Sequence, residues 1–109
     1  MNLITKQVRD KLLKNFKANL RLLKENNLTV DFIPVLRLFF APLNVSWYIS
    51  EWDGEDQLFG VSDFGDAELS HFSIKQLVAV SGPFGEKVEQ DKLFSTNKSL
   101  SEIILLLSE

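Results

Sequence analysis

The sequence predicts one α+β domain over residues 1–109: an antiparallel sheet of about four strands, an N-terminal amphipathic helix packed on one face, and a short C-terminal helix beside it. Three observations support this prediction. Apolar residues recur every three or four positions near the N-terminus, β-rich runs joined by tight turn signals follow, and two helix-capping patterns precede later segments. A chain of 109 residues is about one domain long.

The first element is predicted as a helix from Thr5 to Glu25. Thr5 is a suitable N-cap, and Asn26-Asn27 is a suitable stop because Asn tolerates the left-handed backbone conformation. One face of the helix is apolar, formed by Val8, Leu12, Phe16, Leu20 and Leu23. The opposite face is basic, formed by Lys6, Lys14, Lys17, Arg21 and Lys24.

Four strands are predicted next, at Val35–Phe40, Val45–Trp52, Leu58–Ser62 and Ala67–Phe72. Pro34 and Pro42 suit the ends of the first strand. The later strands are joined by the turn signals Asp53-Gly54 and Asp63–Asp66. Because loops this short cannot make parallel crossovers, we expect an antiparallel meander.

The C-terminal part contains two capping boxes. Ser73 to Gln76 predicts a short helix ending near Ser81, and Ser99 to Glu102 predicts a C-terminal helix rich in Ile and Leu. Between them, Gly82–Gly85 is predicted as a loop and Val88–Asp91 as a short strand or an extended segment.

The predicted core collects the large apolar residues that face inward from these elements. They are Val8, Leu12, Phe16, Leu20, Leu36, Leu38, Phe40, Trp47, Ile49, Phe59, Leu69, Phe72, Leu77 and Ile104. Strict alternation along the second strand places Trp47 on one face and Tyr48 with Trp52 on the other. One face must be core. The other is either covered by a helix or exposed, where aromatic side chains would stack on a base or dock a partner.

Composition excludes several classes of protein. With 45% hydrophobic residues and 25% charged residues, the chain has the content of a folded globular domain rather than of a disordered one. The absence of cysteine excludes disulfides, thiolate nucleophiles and cysteine-ligated zinc or iron–sulfur centres. No signal peptide and no membrane-spanning run is recognisable, so we expect a cytoplasmic protein with no membrane association.

Charge is distributed unevenly along the chain. Residues 1–25 carry seven basic and two acidic side chains. Between Leu38 and Ile74 there is no Lys or Arg, whereas seven acids occur there: Glu51, Asp53, Glu55, Asp56, Asp63, Asp66 and Glu68. This separation of a basic segment from an acidic segment is the bulk property of the sequence that says most about its partners.

The segment from Pro34 to Phe94 contains an ordered series of short motifs. They are Pro34-Val35-x-Arg37-x-Phe39-Phe40-x-Pro42, Trp47-Tyr48-x-x-Glu51, Leu58-Phe59-Gly60, Glu68-Leu69-x-x-Phe72-Ser73-x-x-x-Leu77, Gly82-x-Phe84-Gly85 and Val88-Glu89-x-Asp91-x-x-Phe94. In this order, over a little more than half of the chain and with a similar N-terminal helix, the sequence resembles the bacterial family called domain of unknown function 2958.

The resemblance implies a short bacterial protein of a family common on plasmids and other mobile elements, and it implies no activity. The sequence departs from the family pattern at three positions. Ser70 and His71 stand where the family tends to have Gly and Tyr, and Gln90 stands where it tends to have Arg, between Glu89 and Asp91.

The acidic cluster Glu51, Asp53, Glu55 and Asp56 lies at a strand end and in a hairpin turn. Three interpretations remain open: a solvated hairpin tip whose charges discourage edge pairing, an acidic surface for a partner protein, and a site for a hard cation. The spacing lacks the order of an EF-hand loop. Without that order, no metal ligands and no cofactor are assigned.

Arg37 and His71 are the other candidates for chemistry. Arg37 is the only charge in an apolar strand, so it either pairs with a carboxylate such as Glu51, binds an anion or is exposed. His71 is the only histidine, and as a general base it would need an orienting carboxylate. A small enzyme built on Tyr48, Glu51 and His71 is a third hypothesis, but no catalytic residues are assigned because no nucleophile–base pattern is present.

We expect a non-enzymatic, protein-binding module of a bacterial mobile element, whose acidic region docks on a basic partner such as a host-defence nucleic-acid enzyme, as an anti-restriction or anti-CRISPR inhibitor does. The partner-binding candidates are Glu51, Trp52, Asp53, Glu55, Asp56, Asp63, Asp66 and Glu68. The alternative is a nucleic-acid-binding accessory protein. Its anion-binding candidates are Lys6, Lys14, Lys17, Arg21, Lys24 and Arg37.

Overall fold

The computed structural model describes residues 3–108, in which three α-helices and five strands occur. The elements are α1 (Lys6–Asn26), β1 (Leu36–Phe40), β2 (Val45–Trp52), β3 (Gln57–Asp63), β4 (Ala67–Ser73), α2 (Ile74–Ala79), β5 (Glu89–Gln90) and α3 (Leu100–Leu107), with a 3₁₀ turn at Ala41–Leu43. The strands form one antiparallel sheet in the order β4-β3-β2-β1-β5. The predicted α+β class is confirmed.

Strand β5 lies within Val88–Asp91, the segment that the sequence predicted as either a short strand or an extended segment. Leu38 and Phe39 of β1 pair with Gln90 and Glu89 of β5. This pairing covers β1, so that β4 forms one edge of the sheet and the two-residue strand β5 forms the other.

The ends of the helices follow the predicted signals. Asn27 adopts the left-handed conformation with φ of 55°, and its N–H donates to the Leu23 carbonyl, which ends α1. The Ser73 hydroxyl accepts from the Gln76 N–H at the start of α2. Ser99 and Glu102 form a complete capping box on α3. Thr5 occupies the N-cap position of α1, but its side chain makes no capping hydrogen bond.

A β-bulge interrupts the pairing of β2 with β3. Ile49 pairs with Gly60, whereas Glu51 pairs with Phe59, so Ser50 is an extra residue on β2. One extra residue exchanges the faces of all side chains beyond it. Trp52 therefore packs against the same core as Trp47, and the predicted placement of Trp52 beside Tyr48 is wrong.

The main core lies on the face of the sheet that carries Leu38, Trp47 and Ile49, and α1 contributes Leu12 and α2 contributes Leu77 to it. At about 1.5–3 kcal/mol for each fully buried large side chain, such residues supply most of the gross driving force for folding. Helix α3 packs against β3 and β4 and buries Leu100 and Ile103 outside this cluster.

Two predicted core residues are exposed in the structure. Leu20, which lines an open pocket, is 40% exposed, and Leu69, which lies on the edge strand β4, is 49% exposed. In α3 the more deeply buried residue is Ile103, at 6% exposure, rather than the predicted Ile104. Within residues 3–108, none of the helices is sufficiently long and apolar to cross a membrane.

Candidate functional site

An open pocket of about 360 Å³ lies between the C-terminal half of α1 and the adjoining ends of β2, β3 and β4. Helix α1 lines it with Phe16, Asn19, Leu20 and Leu23, and the strands and the segments beside them line it with Thr29, Val30, Glu51, Asp53, Gln57, Leu58, Phe59 and His71. A concave, mostly apolar surface with a few polar groups is the usual form of a ligand site.

Glu51 is the buried charged group of this pocket. The β-bulge at Ser50 turns Glu51 away from the main core and places it opposite Phe59. The residue is only 9% exposed. Burial raises the pKa of Glu51 above its ordinary value of 4.5, whereas the hydrogen bond from Asn19 and the charge of His71 act in the opposite direction.

Asn19 joins three segments of the chain at the pocket. Its amide nitrogen donates to Glu51 Oε2 at 3.0 Å and to the Val30 carbonyl at 3.0 Å, and its Oδ1 accepts from the Val30 N–H at 2.6 Å. Because Asn19 is itself buried, these bonds satisfy an amide that would otherwise be costly to bury. They hold α1, the segment after it and β2 together.

Two aromatic rings line the same pocket as the Glu51 carboxylate. Phe59 and His71 occupy paired positions on β3 and β4, and their rings lie 4.9 Å apart, centre to centre, at an angle of 47°. His71 is exposed, whereas Phe59, which was predicted as core, is half-buried. The structure therefore brings His71 and Glu51 into the same pocket.

Tyr48 does not line that pocket. It packs against Phe94 at a ring-centre distance of 5.9 Å. Of the three residues considered for a small enzyme, two line one pocket and the third lies elsewhere on the sheet. The exposed aromatic surface considered for β2 is not formed either, since Trp47 is buried and both Tyr48 and Trp52 are half-buried.

The acids of the β2–β3 hairpin are largely engaged in local structure. Asp53 Oδ1 accepts from the N–H groups of Glu55 and Gln57 at 2.8 and 3.1 Å. Asp56 accepts from the Ser73 hydroxyl at 2.5 Å and from the Lys75 N–H at 2.9 Å, and these bonds lower the pKa of Asp56. Asp56 therefore helps to cap α2.

The remaining candidate acids lie at the other end of the sheet. Asp63 Oδ1 accepts from the Gly65 N–H at 3.2 Å in the β3–β4 turn, and Asp66 and Glu68 are exposed. Strand β3 has seven residues, which separates the two turns by about 20 Å. The eight partner-binding candidates thus form two groups. Within the first group, Glu51 is buried and Trp52 is half-buried, with its Nε1 donating to the Glu55 carbonyl at 3.1 Å.

The basic candidates are also divided. Lys6, Lys14, Lys17, Arg21 and Lys24 are exposed on α1. Arg37 lies apart from them on β1, where it donates to Asp91 Oδ2 at 2.9 Å and to Ser46 Oγ at 2.8 Å. Its guanidinium also lies 5.3 Å from the Phe39 ring centre. Arg37 does pair with a carboxylate, but the candidate partner Glu51 is wrong, because Arg37 is paired in register with Tyr48, while Glu51 lies beside Asn19.

Asn19 was not predicted as the partner of Glu51, nor Asp91 as the partner of Arg37. A polar residue on the apolar side of α1, three residues after Phe16, was the available signal for Asn19. The partner of Arg37 carried no comparable signal, because 54 residues separate the two positions. In the part of the chain that the structure describes, no group of three or more His, Asp or Glu residues could hold a metal ion.

Comparison with known proteins gives one match. A family model with the description Protein of unknown function (DUF2958) matches residues 3–107, nearly the whole chain. No curated protein matches, and no solved structure matches.

Proposed function

The chain belongs to the family described as Protein of unknown function (DUF2958), and from this premise we propose that it is a non-enzymatic module that binds a partner protein with a basic surface. The binding surface in this proposal is the outer edge of β4 together with the preceding β3–β4 turn.

The position of β4 is the observation that supports the proposal most directly. This seven-residue strand lies at an edge of the sheet, and no other strand of residues 3–108 pairs with its outer side. Glu68, Leu69 and His71 on β4 are exposed. An open edge offers backbone N–H and C=O groups to an added strand, which is a recurring mode of peptide recognition.

The turn before β4 adds an apolar anchor and negative charge. Phe64 is 62% exposed, and its ring packs edge-on against Trp47 at a centre distance of 5.6 Å, which orients it. Asp66 and Glu68 stand beside it in a stretch that lacks basic residues. Charge complementarity favours a partner segment that is extended and rich in Lys or Arg.

The finer part of the proposal concerns the kind of partner. We propose a role in a bacterial mobile element, with the acidic edge docking on a host-defence nucleic-acid enzyme and occupying part of its DNA-binding surface. Basic surfaces that bind phosphates are the natural complement of exposed carboxylates, which supports an inhibitor of this type.

The test compares variants with charge reversed at opposite ends of the sheet. We expect tagged wild-type protein to retain a stoichiometric partner after nuclease treatment of a bacterial lysate. Asp66→Lys combined with Glu68→Lys should lose that partner, whereas Glu55→Lys in the other turn should keep it. A partner that is retained equally by the double variant would contradict the proposal. Circular dichroism checks that each variant is folded.

The design avoids substitutions at Asp53 and Asp56. Asp53 accepts two backbone N–H groups in its own turn, and Asp56 caps α2, so that changing either would test folding rather than binding.

Binding of nucleic acid is the second candidate function, and one observation favours it. Lys14, Lys17 and Arg21 line a shallow groove on the exposed side of α1. Phosphate binding there should fall steeply with added salt and should be lost in Lys17→Glu combined with Arg21→Glu. A gel shift without retardation at low salt would exclude this function.

A further inference from the structure

We infer that the pocket between α1 and the ends of β2, β3 and β4 binds an organic cation, an amine or guanidinium carried on an apolar or aromatic body. This inference rests on the pocket, whereas the proposed function rests on the outer edge of β4 and the β3–β4 turn. His71 belongs to both, because it lies on β4 and lines the pocket.

The carboxylate of Glu51 favours a positively charged ligand in the pocket. Glu51 is nine-tenths buried, and within residues 3–108 its only hydrogen-bond donor is Asn19, which bonds Oε2. The second oxygen, Oε1, accepts no hydrogen bond from the described part of the chain. Oε1 keeps some solvent-accessible surface, so a ligand can reach it, although most of the residue is buried. Ammonium and guanidinium groups supply both the charge and the donors that such a carboxylate oxygen binds.

The walls of the pocket select an apolar or aromatic body for the ligand. Phe16, Leu20, Leu23 and Val30 line one part, and the mutually tilted rings of Phe59 and His71 line another. A volume of about 360 Å³ lies at the lower end of the range for small-molecule sites. The face of Phe59 would also attract a cation beside it.

A metal ion fits the pocket less well than an organic cation. Besides Glu51, the pocket has one other carboxylate, that of Asp53, and its Oδ1 already accepts two backbone N–H groups. Hard cations require six or more oxygen ligands, which the apolar walls do not supply.

The experiment titrates the protein with 2-phenylethylamine at pH 7.5, followed by NMR of backbone amides and by calorimetry. We expect saturable shifts at Phe59 and His71 and a dissociation constant on the order of 0.1–1 mM, which is typical of a fragment of this size. The neutral analogue 2-phenylethanol should bind about tenfold more weakly, which corresponds to one charge-assisted hydrogen bond. Equal affinity for the alcohol and the amine would overturn the inference.

Two variants test the site itself. Glu51→Gln keeps the shape of the side chain and should lose about tenfold in affinity for the amine, whereas Glu55→Gln, outside the pocket, should bind as wild type does. Leu20→Trp places a larger side chain in the wall of the pocket, at a position that is 40% exposed, and should block binding in a folded protein. Unchanged affinity in either Glu51→Gln or Leu20→Trp would overturn the inference.

The source of the cation is distinguished by a second titration. A short peptide that contains one arginine and is blocked at both termini represents the side chain of a partner protein. 2-Phenylethylamine represents a free small-molecule amine. Tighter binding of the peptide assigns the pocket to a partner's side chain, and tighter binding of the amine assigns it to a small molecule. Failure of both probes to bind would overturn the inference while leaving the proposal for the β4 edge intact.

Discussion

The side-chain amide of Asn19 on α1 donates to the carboxylate of Glu51 on β2 at 3.0 Å, in a site where both residues are buried. The two residues are 32 positions apart in the chain. The same amide also bonds the Val30 backbone in both directions, so that one side chain fixes the position of the pocket's carboxylate and of its rim.

Replacing Glu51 by Gln should stabilise the protein at neutral pH. Burial raises the pKa of Glu51 above 4.5, so the folded state holds the proton more tightly than the unfolded state does. Wild-type stability therefore falls as pH rises from 4.5 through the raised pKa, while Gln does not titrate. Thermal denaturation should show a higher Tm for Glu51→Gln at pH 7.5 and similar Tm values at pH 3.5. Equal Tm values at both pH values would contradict the burial of a charged carboxylate.

Replacing Asn19 by Ala should destabilise the protein by about 2–3 kcal/mol, because the change leaves a buried carboxylate and the Val30 backbone without partners. Asn15 is the matched control on the same helix, since it donates one hydrogen bond, to the Ser50 carbonyl at 2.9 Å. Asn15→Ala should cost about 1 kcal/mol. Urea denaturation measures the free energy of unfolding of both variants. Similar losses in the two variants would show that the three hydrogen bonds of Asn19 stabilise the protein no more than the single bond of Asn15 does.

Replacing Gly60 by Ala should destabilise the protein by about 3 kcal/mol or more. A Cβ atom at Gly60 would lie 1.9 Å from the Tyr48 carbonyl oxygen and 2.8 Å from the Ile49 Cα, so that the two strands would have to separate. Gly65→Ala should cost only about 1–2 kcal/mol, because its φ of 108° is unfavourable for Ala but the space around it is open. Chemical denaturation of the two variants checks that Gly60→Ala lowers the free energy of unfolding more than Gly65→Ala does.

Replacing Asp56 by Asn should lower the Tm of the protein at neutral pH. It should also make the decrease of Tm in acid smaller than in wild type. Hydrogen bonds from Ser73 and Lys75 lower the pKa of Asp56 below 3.8, so its contribution to stability is present above pH 3.8 and is lost as pH falls through the lowered pKa. Wild type should lose more of its Tm than Asp56→Asn between pH 5 and pH 2. An identical acid dependence of the two proteins would show that Asp56 does not cap α2.

The pair formed by Arg37 and Asp91 is suited to a double-mutant cycle. Each side chain is 28% exposed, so solvent screens part of their attraction, and we expect a coupling energy of about 0.5–1 kcal/mol between Arg37→Ala and Asp91→Ala. Arg37→Lys keeps the charge, but it cannot reach Asp91 and Ser46 with a planar fork and should recover only part of the loss. Strictly additive costs would show that the pair is not coupled.

Local signals in the sequence predicted most of the fold. The Asn at the end of α1, the Ser73 cap of α2, the capping box of α3 and the glycines of the hairpin turns act within a few residues of the structure they specify. Apolar periodicity predicted that Leu12, Leu38 and Trp47 are buried. It failed at Leu20 and Leu69, since periodicity identifies a face but not whether another element covers all of it.

The sequence by itself determined the α+β class, the order of helices and strands, and the separation of basic from acidic segments, because propensity, capping and turn chemistry are local. The tertiary structure decided which charges meet. The extra residue at Ser50 turns Glu51 towards Asn19 and His71, and the pairing of β5 with β1 brings Asp91 to Arg37. Both outcomes depend on strand register, which is set by packing between residues distant in the chain.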